Sequence, residues 1–121
     1  MALTKNGLTS TISTVAASAT GEITGTKVVS NKNVYIKGLL IYNTSTSATQ
    51  TCEIHVVPNS GGSVGSAAAA NKIGRLTLTA SDTAFFEFAY PLTLTTTNDC
   101  ILVVNGSGST VNVLPVGDVE A

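Results

Sequence analysis

Chemistry in this chain would have to begin at His55, its one histidine. A nucleophilic triad needs a hydroxyl or thiol beside the imidazole and a carboxylate behind it. Twelve serines are present, yet none is read in a Gly-x-Ser-x-Gly motif, which needs a strand–turn–helix elbow. His55 alternates with Glu53 and Val57 on one face of an extended run, which reads as an outer, solvent-facing strand face. Cys52 and Cys100 are not in a Cys-x-x-Cys pair, and one histidine cannot complete a zinc tetrahedron with them. Asp82, Asp99 and Asp118 fall in three separate expected turns, where a carboxylate accepts hydrogen bonds from nearby backbone N–H groups. No Asp-x-Asp-x-Asp run gathers oxygens for calcium. The glycines from Gly61 to Gly65 lack the Gly-Lys-Ser/Thr ending of a phosphate loop, and Gly106-Ser107-Gly108 lacks the third glycine of a dinucleotide site. The residues therefore point to no catalytic group, no cofactor and no metal. Asn43-Thr44-Ser45 and Asn105-Gly106-Ser107 match a glycosylation sequon, as chance permits in a Ser/Thr-rich chain.

The composition agrees with a binding role. The chain has 121 residues, enough for one domain with a real core. Six Lys and Arg stand against seven Asp and Glu, a net charge of −1. Nucleic-acid binding would need a basic surplus, so no nucleic-acid partner is expected. Only 11% of residues are charged while 43% are apolar. A small protein that stays apart from its copies normally does so by charge; a surface of Thr, Ser, Asn and Ala suits one packed against neighbours. No apolar run approaches the length of a membrane helix. The first twenty residues lack the continuous apolar stretch of an export signal. Synthesis in a reducing cytoplasm is expected, and with it free thiols.

Nineteen Thr, thirteen Val and seven Ile favour strands. Residues 1–25, with isolated apolar residues at Leu3, Leu8, Ile12, Val15 and Ile23, read as an extended N-terminal arm that adds little to the fold. Residues 26–121 read as the domain proper. Val28-Val29 opens a short strand and Ser30 to Asn33 turns it. Val34 to Tyr42 is the strongest strand. Its inward phase slips by one residue at Lys37-Gly38, as at a β-bulge. Leu39 and Ile41 then point inward, and Leu40 and Tyr42 outward. In the next strand Cys52, Ile54 and Val56 point inward, up to Pro58. A Gly- and Ala-rich loop follows. Leu76, Leu78, Phe86 and Phe88 point inward, with Phe85 and Glu87 outside; Leu92 and Leu94 form a separate short strand after Pro91. Cys100 to Val104 is apolar throughout, as a strand covered on both faces would be. Asn105 to Ser109 reads as a hairpin-like loop, and Val111 to Leu114, extended through Val116–Val119, as the last strand. About eight short strands at this spacing predict an all-β, single-domain antiparallel β-sandwich, jelly-roll or immunoglobulin-like. Leu40, Tyr42, Val57 and Phe85, all assigned outward, are the candidate protein-interface residues.

The order Asn33-Val34-Tyr35-Ile36-Lys37-Gly38-Leu39-Leu40-Ile41-Tyr42-Asn43-Thr44-Ser45, then Ile54-His55-Val56-Val57-Pro58 and Gly61-Gly62-Ser63, resembles small all-β virion proteins of tailed phages. Leu76-Thr77-Leu78, Phe86-Glu87-Phe88 and Pro91-Leu92-Thr93-Leu94 fit the same order, so the resemblance covers about residues 26–120. It implies a non-enzymatic virion component, first a capsid decoration (cement) protein on the outside of the major capsid protein shell. The alternatives are a tail, baseplate or fibre adaptor, or a receptor- or glycan-binding module using Tyr42, Tyr90 and the Gly-rich loops. The implied partners are other virion proteins, the major capsid protein before the rest. Further copies of the chain are expected too, a trimer being one form. The implied location is the virion.

Overall fold

The computed structural model describes residues 4–121; Leu3 of the expected arm lies outside them. Nine strands are present among the described residues: β1 Lys5–Gly7, β2 Ser13–Val15, β3 Thr20–Glu22, β4 Val34–Asn43, β5 Gln50–Val57, β6 Lys72–Leu78, β7 Thr83–Leu94, β8 Cys100–Asn105 and β9 Val111–Glu120. One 3₁₀ turn, Ala69–Asn71, is formed by the end of the alanine run. All pairings are antiparallel. The first sheet runs β1-β9-β4-β7, with β2 beside β1 on the same edge of β9. The second runs β3-β8-β5-β6.

The chain crosses between the sheets at every step from β2 to β9 except the β5–β6 hairpin. That wiring is a jelly roll, and it differs from the immunoglobulin order. It also corrects the expected hairpin at Asn105 to Ser109, which carries the chain from the second sheet to the first. Between the sheets lies one apolar core. Val34, Ile36, Leu39, Ile41, Val111 and Val113 come from the first sheet; Cys52, Ile54, Leu78, Ile101 and Val103 come from the second.

The bulge in β4 stands where its alternation slips. Register to both neighbours shifts between Ile36 and Gly38, so Lys37 is the extra residue. Ile36, Leu39 and Ile41 consequently all reach the core. Opposite the bulge, Gly117 approaches so closely that a Cβ there would overlap the carbonyl oxygen of Tyr35. On β7 the same shift loops out Phe88 to Pro91, making one long strand of the two expected on either side of Pro91. Pro115 lies in the interval of β9 between its pairings with β2 and β1, where the strand has a neighbour on one side only, and a missing N–H is tolerated there.

The N-terminal arm is corrected. Residues 4–25 contribute strands to both sheets, and Val15 and Ile23 are fully buried in the core. Thr, Ser and Gly dominate the segment, but β8 and β9 supply the partner backbone that its own propensity cannot. Val28-Val29 is no strand. Val28 is buried in the main core, with its backbone hydrogen-bonded to Asn98 and Asp99, while Val29 is exposed. The turn after it has both Ser30 and Asn31 at positive φ, closed by Lys32 N–H to the Val29 carbonyl, the signature of a type I′ turn.

Candidate functional site: the outer face of the first sheet

The two outer faces of the sandwich differ. On the second sheet, Val57, Cys100 and Leu102 form a small outer core under Val64 and Ala67. Those two belong to the loop 58–71, which is pinned by Asn59 N–H to Asp99 Oδ1 (2.8 Å) and Asn59 Nδ2 to the Thr97 carbonyl (2.7 Å). The expectation that Val57 is exposed is therefore corrected. It does point away from the main core, but the chain's own loop buries it. Cys100 and Leu102 of β8 share this outer cluster while Ile101 and Val103 face the main core, so β8 is covered on both faces as its apolar run implies.

His55 is corrected likewise from a surface residue to a buried one. The β5–β6 register slips between Ile54 and His55, and the imidazole is roofed by the end of the loop. Asn71 Oδ1 accepts from Ala68 N–H, and Asn71 Nδ2 donates to the Ser66 carbonyl. The amide orientation is thereby fixed, so Nδ1–H of His55 is the donor to Asn71 Oδ1 at 2.8 Å. Nε2 has no hydrogen-bond partner among the described residues. The ring acts as a strut for the loop.

Gly61-Gly62-Ser63-Val64-Gly65 does match Gly-x-Ser-x-Gly, which corrects the expectation that no serine stands in that motif. Here Ser63 sits in a tight reversal, exchanging backbone hydrogen bonds with Ser60. The loop places no helix after it, so the elbow is not formed. Asp82 and Asp99 act as turn carboxylates, accepting from the Thr83 and Thr96 N–H groups. Asp118 belongs to β9 and not to a turn. Cys52 faces the core and Cys100 the outer cluster, on opposite sides of the second sheet. Both thiols are free, and burial pushes each up to about 11.

Among the described residues, the outer face of the first sheet has no such roof. Its far end is closed by polar contacts: Lys5 Nζ stands 4.3 Å over the Tyr35 ring, and the Tyr35 hydroxyl donates to Glu120 Oε1 at 3.1 Å. Beyond the bulge the face turns apolar. Leu40 lies between Phe85 of β7 and Leu114 of β9; Tyr42 lies between Thr83 and Asn112. Ile12, from the β1–β2 connection, joins Leu40, Tyr42 and Leu114 around a groove of about 270 Å³. Exposure is 37% for Leu40, 37% for Tyr42, 46% for Phe85 and 55% for Ile12. Seven large apolar side chains are exposed among the described residues, and these four gather on one face. Leu40, Tyr42 and Phe85 were assigned outward from the strand phases. Ile12 and Leu114 were missed, since nothing local places them beside β4.

Compared with known proteins, the chain matches no family model, no curated protein and no solved structure.

Proposed function

We propose that this chain is a non-enzymatic structural protein of a phage virion, a capsid decoration protein that seats the outer face of its first sheet on the shell of the major capsid protein. The observation that carries the reading is the unroofed cluster of Ile12, Leu40, Tyr42 and Phe85. Contiguous exposed apolar surface marks interaction sites, and tyrosine adds area together with a hydroxyl for a rim hydrogen bond. The virion assignment rests on the resemblance of residues 26–120 to phage virion proteins. Jelly rolls serve viral capsid and lectin domains, which supports the reading by analogy of fold alone. A decoration protein occupies many equivalent sites, so weak contacts repeated in number hold it firmly. The double change Leu40→Asp with Tyr42→Ser should abolish binding to particles stripped of the protein, with the thermal melt of the free protein little altered. Normal binding by that variant overturns the proposal.

A second reading has one observation in its favour. Tyr90, 86% exposed, stands on the β7 bulge, where a ring could stack on a sugar. Loss of glycan or cell-surface binding in Tyr90→Ala, with particle binding intact, would favour that module over decoration.

A further inference from the structure

Each sheet has two edges, and three of the four are guarded. β1, β2 and β3 are three residues long, and β6 carries exposed Lys72 and Arg75. Short length and edge lysines are the usual protections against strand addition. The fourth edge is β7. From Thr83 to Phe88 it holds no Pro, no Lys and one charge, Glu87. Its bulge begins only at Phe88, the last residue of this stretch, and Pro91 lies beyond it. Among the described residues, the backbone of Ala84 to Phe88 makes hydrogen bonds to β4 only, leaving its other side open.

We infer that the Thr83–Phe88 edge of β7 pairs antiparallel with the same edge of a second copy, about a two-fold axis through Phe85. Self-pairing suits an edge because the two-fold presents the same row of donors and acceptors to itself. Residues directly opposite share a face of the sheet, so only registers that set outward residues against outward residues are allowed. The charge on Glu87 chooses among them. A register centred on Glu87 sets two carboxylates together. One centred on Phe86 sets Glu87 against Phe85. One centred on Phe85 sets Glu87 beside the Thr83 hydroxyl of the other copy, and the two Phe85 rings side by side. That last register covers the exposed flank of Phe85 and makes the two apolar faces one continuous surface.

The inference does not rest on the decoration reading, because it is measured on the purified protein without particles. Light scattering should give a mass rising with concentration toward twice the 12.3 kDa of the chain. Thr83→Glu, which sets like charges opposite each other twice per dimer, should weaken the dimer about tenfold, and Thr83→Lys should strengthen it by a similar factor. Combining Thr83→Glu with Glu87→Lys should restore it. A mass that stays at one chain throughout overturns the inference, the edge then being left to another protein. So does a shift of the same sign for Thr83→Glu and Thr83→Lys.

Discussion

The ring of Phe85 covers Gly38 on the outer face of the first sheet. A methyl group on Gly38 would sit 2.5 Å from Phe85 Cε1 and 2.7 Å from the Phe86 carbonyl oxygen. The glycine that follows the bulge residue is thus the floor on which the exposed aromatic rests.

Gly38→Ala should therefore be costly. The Phe85 ring could swing away, but the Phe86 carbonyl belongs to the paired strand and cannot. Overpacking of this kind costs about 1–3 kcal/mol. Gly7→Ala is the control, since a Cβ there meets nothing within 4 Å. Urea midpoints should fall for the first and stay close to wild type for the second.

Ile23 is fully buried in the core although it stands in the segment that sequence reads as an arm. Ile23→Ala should cost about 2–5 kcal/mol. Deleting residues 4–23 should abolish cooperative unfolding altogether, which a thermal melt followed by circular dichroism would register. A deletion variant that melts within a few degrees of the parent would return the segment to the status of an accessory arm.

Asn105 ties three parts of the chain together. Its Nδ2 donates to the carbonyls of Val15, Ala16 and Ser109 at 2.8–3.1 Å, and its Oδ1 accepts from Gln50 Nε2 at 2.7 Å. Asn105→Leu removes these bonds; the Gln50 amide keeps the Gly106 carbonyl and the Ala16 carbonyl keeps the Ala19 N–H, and each buried group left without a partner costs about 1–3 kcal/mol. Asn105→Asp should be worse, because a carboxylate would face three carbonyl oxygens. Denaturant titration of both variants ranks them.

The thiols predict an alkaline limit. Burial raises Cys52 and Cys100 from 9.0 to about 11, so the folded state holds these protons more tightly than the unfolded chain does. Their contribution is fully present below pH 9 and is lost as pH rises through 9 to about 11. Urea midpoints should fall over that window, and less in Cys52→Ala with Cys100→Ala than in the parent. Neither thiol should react with iodoacetamide at pH 8 in the folded protein, and non-reducing mass spectrometry should show both protons in place.

Much of this was legible in the chain because it is written locally. The slip of phase at Lys37-Gly38, the two-sided burial of β8 and the inward orientation of Cys52 all follow from period-two alternation or apolar runs within single strands. What was not legible depends on distant partners. The Ser13–Val15 strand exists because β9 lies beside it, about a hundred residues later in the chain. Val57 and His55 looked outward correctly and were still judged exposed wrongly. Their roof is a loop of Gly, Ser, Ala and Asn in which only Val64 and Ala67 pack against the outer cluster. Ile12 reaches Leu40 and Tyr42 by a path that no spacing along the sequence records.

The roof over the second sheet gives the two sides of the molecule different histories to come. Val57, Cys100 and Leu102 need only some small apolar cover, and there is open space around the tip at Gly61-Gly62, although both glycines are held at positive φ and should themselves be kept. That side can accumulate substitutions and inserted residues at little expense, as surface loops do. The bare strands on the other side have less slack, because the side chains of β4 there stand in a regular ladder with β7 on one flank and β9 on the other. Variation among descendants of this sequence should gather on one side of the sandwich, leaving the other nearly fixed, and a foreign peptide placed at Gly61-Gly62 should ride on the outside of whatever the opposite face is holding.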